Sequence, residues 1–322
     1  MSNPNPEAPL RASAPFEALL SQTAERVEAE FIGLLSNGPL ATGHRAVPRV
    51  PERLQTAMRH AVLGGGKRFR PFLVEHTAAL FDVPPSQSII TGIAVELIHC
   101  YSLAHDDLPA MDNDILRRGQ PTVWKAFDDW TAILAGDALQ ALAFECLGAK
   151  TCHPDAEVRA ALTVHLARAS GGQGMVGGQV LDLAAERLTD QQVPTSLNAI
   201  RQLQSMKTGA LIVFSCEAGA LLGKAAGSPE HKALSTYGDR LGYAFQIADD
   251  LLDVEGDAEL VGKAVAKDAD AGKATLVSLM GVEAARAALQ QTRDEAIQAV
   301  DIFGARADVL RQAADFVVKR RK

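Results

Sequence analysis

Two short acidic runs carry the spacing that could do chemistry. The first reads Ala104-His-Asp-Asp-Leu-Pro-Ala-Met-Asp-Asn-Asp114 and the second Ala248-Asp-Asp-Leu-Leu-Asp253. Each follows an apolar stretch, HCYSLA and GYAFQIA, so the acids fall at the lip of a buried surface. Crowded carboxylates there repel one another and take raised pKa values unless cations hold them ionised. Asp249, Asp250 and Asp253, with Gln246 one turn earlier, share a narrow arc of one helix face and are expected to point at one spot. Asp106 and Asp112 are six residues apart, which on a continuous helix would separate them by about 120°. Pro109 disfavours helical geometry at Leu108, so the helix is expected to end there and the following loop to fold Asp112 back beside Asp106. Oxygen-only donors on two walls of one cavity suit Mg²⁺, which is usually held by one or two carboxylates together with substrate phosphates.

A phosphate ligand needs cations of its own. Lys67, Arg68 and Arg70 follow three glycines, Arg117 and Arg118 stand just beyond the first acidic run, Lys207 precedes Thr208, and Lys263, Lys267 and Lys273 lie beyond the second run. Arginine gives bidentate contacts to phosphate oxygens, whereas lysine acts as a mobile point charge. His99 sits seven residues before Asp106, on the same helical stripe as Ser102; the plain alternative for it is a satisfied core histidine. Two glycine motifs do not bind nucleotides. Gly172 to Gly177 fits GxGxxG but follows an amphipathic helix where a dinucleotide fingerprint needs a strand. Lys67 is followed by Arg68 where a Walker loop requires Ser or Thr.

The elements that must position these residues read as helices. Val158, Leu162 and Leu166 recur four apart after Pro154, and Ile133–Leu147 is apolar on most faces, as for a helix enclosed by neighbours. Strand signals are almost absent. The 322 residues are 47% hydrophobic and 22% charged, an ordinary globular composition. Residues 1–15 carry Pro4, Pro6, Pro9 and Pro15 and read as a disordered tail, leaving 16–322 as one all-α domain. The formal charge of -7 argues against nucleic-acid partners. The longest apolar run, Ile89–Leu103, is broken by Glu96 and His99 and falls short of the roughly 20 residues of a membrane span, so no stable membrane insertion is expected. Cys100, Cys146, Cys152 and Cys216 form no CxxC pair and read as reduced thiols of a cytoplasmic protein.

With these marks in place the sequence resembles the trans-polyprenyl diphosphate synthases, most of all the bacterial branch that makes farnesyl diphosphate. The likeness runs from about residue 50 to the C-terminus, through GGGKRFRP at 64–71, HCYSLAHDDLPAMDND at 99–114, RRGQPT at 117–122, GGQVLDL at 177–183, KTG at 207–209, FQIADDLLD at 245–253 and GK at 262–263. It implies an isoprenoid-synthase fold, a helical bundle around a large central cavity, that forms a homodimer and condenses isopentenyl diphosphate with dimethylallyl or geranyl diphosphate. By the same likeness Asp106, Asp112 and Asp249 bind three Mg²⁺, which Mn²⁺ can replace, with Asp107, Asp250 and Asp253 assisting. Arg117, Lys207 and Lys263 neutralise the allylic diphosphate; Gly66, Lys67, Arg70, His99 and Arg118 hold isopentenyl diphosphate; Thr208 and Gln246 face the developing carbocation.

Tyr101 precedes Asp106 by five residues, so its ring lies about 7–8 Å deeper along the helix. With Ser102 it is expected to stop the growing tail, and in the family an aromatic here accompanies fifteen-carbon products. Geranyl or geranylgeranyl diphosphate is the alternative product. A class I terpene cyclase would share the first acidic run but not the second, a metal phosphohydrolase using His105, Asp106 and His76 or His99 leaves the second unexplained, and a non-catalytic subunit would have lost aspartates that are whole here. Leu276-Val replaces the Tyr-Pro that often follows Lys-Ala-Thr in the family.

Overall fold

The structure, a computed structural model, describes residues 15–37, 49–187, 196–260 and 275–319. The proposed tail, apart from Pro15, lies outside the described residues, as do Lys263, Lys267 and Lys273. In chain order the helices are α1 (Phe16–Asn37), α2 (Glu52–Leu63), α3 (Phe69–Ala79), α4 (Pro85–Asp106), α5 (Val123–Ala126), α6 (Asp129–Gly148), α7 (Ala156–Ser170), α8 (Met175–Arg187), α9 (Leu197–Gln204), α10 (Ala210–Leu222), α11 (Pro229–Leu260), α12 (Leu276–Met280), α13 (Val282–Ala299) and α14 (Asp308–Lys319). A π-helical turn, Ser205–Gly209, joins α9 to α10, and a 3-10 turn, Asp301–Ala307, precedes α14. The all-α expectation holds.

The chain divides into two compact units. One runs to Val164 and takes in Leu221–Lys224; the other is His165–Ala220 together with Ala225 onward. In the first unit α4 is the central element, packed on α3 and α6. Its start is set by Pro84 and Pro85, because a proline at the first helical position gives up an amide that has no intrahelical partner. From Thr91 to Ile98 every residue is buried, a helix covered on several sides. In the second unit α11 plays that part, packed on α13 and α14.

Three expectations shift. The apolar stretch on α6 is not fully enclosed: Trp130, Ile133 and Leu134 are 57%, 42% and 47% exposed. By length and composition alone α4, α6 and the stretch Leu197–Leu222 are each apolar enough to cross a membrane, although α4 buries 67% of its apolar window in the fold. The apolar run of α4 is therefore longer than the sequence reading allowed, since one buried glutamate and one histidine do not lower its mean much. A short antiparallel hairpin also appears, β1 (Leu116–Arg117) against β2 (Gln120–Pro121). Its two-residue loop, Arg118-Gly119, has φ +51° and +77°, the two positive values that a type I′ hairpin turn demands.

Candidate active site

The first acidic run behaves as the proline argument requires. α4 ends at Asp106, two residues before Leu108, and the chain turns so that the Asp112 N–H donates to the Asp106 carbonyl at 2.8 Å. Asn113 closes the turn with φ +56° and donates to the Leu108 carbonyl. Asp106 is half-buried and Asp112 exposed, so this pair stands at the mouth of the buried helix. Asp107 points elsewhere. Its buried carboxylate takes Arg117 in a fork, 2.6 and 2.9 Å to one oxygen and 3.1 Å to the other. Burial lowers the Arg117 pKa, but its bonds to Asp107 more than reverse this, so the guanidinium is held charged.

Beside this loop, within the same unit, lies a cleft of about 510 Å³ lined by His60, Glu96, His99, Cys100, Arg117 and Arg118, with Asp107 at its edge. Gly64, the first of the three glycines, also lines it. Arg118 donates a short hydrogen bond to the Gly65 carbonyl. A Cβ on Gly66, whose φ is +129°, would strike the Arg118 guanidinium, so the third glycine makes room for an arginine. His99 is driven well below its ordinary pKa, first by burial and then by Arg70, Arg118, Arg117 and Arg68. It is a neutral ring among four guanidinium groups. Lys67 is exposed on the same loop. Tyr101 is buried, its ring edge-on to His105 at 5.7 Å, and burial pushes its hydroxyl up while Gln140 on α6 pulls it down. Ser102 donates to the His99 carbonyl at 3.0 Å.

In the second unit Lys207 and Thr208 sit in the π-helical turn, a conformation that recurs at functional sites. Lys207 pairs with the buried Asp182 of α8 at 2.5 Å. Gly177 and Gly178 let α8 come this close, since a Cβ on Gly178 would strike the Lys207 backbone. Asp249 is half-buried and Asp253 exposed. Asp250 is turned aside: its carboxylate accepts the Leu276 N–H at 2.9 Å, at the start of α12. The three acids of α11 therefore do not aim at one spot, because Asp250 lies on the flank that meets α12. Gln246 opens instead on a groove of about 320 Å³ with Gln204, Ser205 and Tyr243.

Sequence reasoning missed Asp182, whose role only the fold reveals, and Gln179, which is buried with both polar side-chain atoms lacking a hydrogen-bond partner. A buried amide left so is an opening for a ligand or water. It also grouped Arg68 with the phosphate cations, whereas Arg68 is buried and paired with Glu96 at 2.9 Å. Among the described residues no three carboxylate, imidazole or thiol groups converge on one ion. The Asp106–Asp112 pair still fits a hard divalent cation, which needs only one or two carboxylates when phosphate oxygens complete its shell.

The sequence profile of the polyprenyl synthetase family matches residues 51–313. A farnesyl diphosphate synthase of Haemophilus influenzae is 38% identical over 317 residues, 95% of this chain and 99% of the relative. One from Escherichia coli is 42% identical over 269 residues, 82% and 88% of the two chains. Among solved structures an FPP/GFPP synthase of Zymomonas mobilis aligns with a TM-score of 0.81 at 47% identity, covering 94% of this chain and 98% of the other.

Proposed function

The chain belongs to the polyprenyl synthetase family, and we propose from that premise how its residues divide the work. It is a prenyltransferase that joins isopentenyl diphosphate head to tail with dimethylallyl or geranyl diphosphate, giving farnesyl diphosphate. The observation that supports the division of labour is the first unit's cleft. A neutral His99 and the guanidinium groups of Arg117 and Arg118 line it, with Arg70 in electrostatic reach of His99, close in sequence to the folded-back pair Asp106 and Asp112. A cationic pocket beside a carboxylate pair suits two diphosphates, one gripped directly and one through metal.

In this reading Lys67, Arg70, His99 and Arg118, with the Gly66 backbone, bind and orient isopentenyl diphosphate. The neutral His99 ring donates from one nitrogen and accepts at the other, so it positions the diphosphate without adding charge. Arg117 and Lys207, each preset by its aspartate, neutralise the allylic diphosphate, together with Lys263. Thr208 and Gln246 turn their oxygen dipoles to the allyl carbon. Asp106, Asp112, Asp249 and Asp253 hold the divalent metal that the family uses, proposed as three Mg²⁺ with Mn²⁺ able to replace it. When bound, the metal stabilises charge on the departing pyrophosphate more than on the intact ester. The allyl carbon–oxygen bond breaks, the double bond of isopentenyl diphosphate attacks, and a proton passes to released pyrophosphate. Apolar walls exclude the water that would trap the cation. Tyr101 and Ser102 bound the tail. The proposal includes a cytoplasmic homodimer.

The test is incubation with isopentenyl and geranyl diphosphates plus Mg²⁺, with products sized. A fifteen-carbon diphosphate is expected, and Asp106→Ala is expected to slow turnover at least ~10²-fold. A cyclic hydrocarbon formed without isopentenyl diphosphate would instead identify a cyclase.

A further inference from the structure

The glycine loop at the head of α3 carries two arginines with opposite fates. Arg68 is 2% exposed and Glu96, on α4, is 3% exposed; they meet at 2.9 Å. The same guanidinium donates a short bond to the Val62 carbonyl of α2, lies 3.6 Å from Glu28 of α1 and sits 5.5 Å from the Phe31 ring centre. Arg68 thus ties the loop to three helices, and it does so from a left-handed backbone, φ +48°. Such a conformation persists in a non-glycine residue only when its surroundings hold it there.

Arg70, two residues on, bonds neither of these partners. Its buried Nε lacks a hydrogen-bond partner, as the Nε of Arg68 also does, so the two differ at the terminal nitrogens, which in Arg68 are bonded to Glu96 and the Val62 carbonyl. Burial lowers its pKa, and the largest charge opposing that is again Glu96. One buried carboxylate therefore lies within electrostatic reach of two arginines and is bonded by one of them.

We infer that Arg68 is a positioning residue for the isopentenyl diphosphate site: by occupying Glu96 it leaves Arg70 available to the incoming diphosphate. With Arg68 gone, the buried carboxylate is unpaired, a state costly enough to recruit another cation, and Arg70 is at hand. Arg68 itself never touches the substrate. The inference rests on reading this cleft as the isopentenyl diphosphate site, and its test is binding, which needs no turnover.

Calorimetric titration of the full chain with isopentenyl diphosphate compares wild type, Arg68→Met, Glu96→Gln and Arg68→Met/Glu96→Gln. Arg68→Met is expected to weaken binding roughly 10- to 100-fold, the worth of one charge-assisted contact. The double variant is expected to return to within about threefold of Glu96→Gln, because the competing charge is gone. In turnover assays the KM for isopentenyl diphosphate follows these affinities while kcat and the KM for geranyl diphosphate hold. Unchanged affinity in Arg68→Met overturns the inference. So does a double variant more than about tenfold weaker than Glu96→Gln, a comparison that stands even where Arg68→Met alone does not fold. Parallel loss of both substrates with a lowered Tm would mark Arg68 as merely structural. Wild type that binds isopentenyl diphosphate with this variant pattern yet makes no product supports the positioning role and sinks the condensation reading.

Discussion

Asp250 separates two roles that an acidic motif blurs. Its carboxylate accepts the Leu276 N–H at 2.9 Å, and the Val277 N–H and the Gln204 side chain also act on it. α12 starts there with a capping box between Thr275 and Ser278, so Asp250 braces from outside a helix start that is already capped. A charge-assisted hydrogen bond is worth about 1.5–3 kcal/mol. Against it stands burial, which leads the causes that raise the Asp250 pKa from 3.8. The net loss expected for Asp250→Ala is therefore about 1–2 kcal/mol, and for Asp250→Asn, which keeps an acceptor oxygen and sheds the cost of burying charge, under about 1 kcal/mol.

Urea unfolding gives the first quantity, and steady-state turnover at saturating metal gives the second. Asp250→Asn is expected to keep kcat within about tenfold of wild type, while Asp249→Ala loses at least ~10²-fold. The sign of the pH dependence follows from the raised pKa. The neutral carboxyl is the better tolerated form, so its contribution is fully present below 3.8 and is lost as pH climbs through the raised folded value. The stability margin of wild type over Asp250→Asn narrows across that range. Should Asp250→Asn cut kcat as deeply as Asp249→Ala with no change in unfolding midpoint, Asp250 acts as a metal ligand and the bracing argument is wrong.

Two further outcomes are expected. Tyr101→Ala removes a buried ring packed on His105 and is expected to yield products longer than fifteen carbons; chromatographic sizing that shows only fifteen carbons removes Tyr101 as the floor. His76, its ring tilted at 52° against Phe72 with centroids 4.2 Å apart, has its pKa lowered to about 4, mainly by burial. Its stabilising effect is complete above 6.5, the ordinary value, and fades as pH falls towards 4, so wild type is expected to lose about 2 kcal/mol more than His76→Leu between pH 7 and pH 5, measured by denaturant unfolding.

What the sequence discloses is what depends on neighbours along the chain. The Asp106 to Asp112 turn follows from Pro109 alone, because the proline acts on the residue before it. The helical class follows from spacing such as Val158, Leu162 and Leu166. Partners across the fold leave no such trace. Asp182 and Lys207 are 25 residues apart, and nothing in GGQVLDL or KTG says that they pair. The hairpin at Leu116–Pro121 escapes for another reason: two-residue strands have no room for alternation, and its loop uses Arg-Gly where Asn-Gly is the common signal. Arg68 and Arg70 look alike in GGGKRFRP, yet one is locked on Glu96 and the other is not.

The three glycines show why motif and mechanism can part company. A glycine-rich turn before a basic residue suggests phosphate held by backbone amides, but here the Gly65 carbonyl faces an arginine and accepts from it. At Gly65 the backbone offers an acceptor, not a donor, so there it holds an arginine instead of an anion. Arg118 reaches it from a hairpin loop at φ +51°, and Arg68 anchors the loop's far end at φ +48°. Two left-handed arginines thus fix one loop from opposite sides, one through backbone oxygen and one through Glu96. Strain in both is then offset by contacts whose removal would cost more. Under the proposed function, Lys67 and Arg70, the residues between and beyond these anchors, are then the loop's share of the charge offered to a diphosphate.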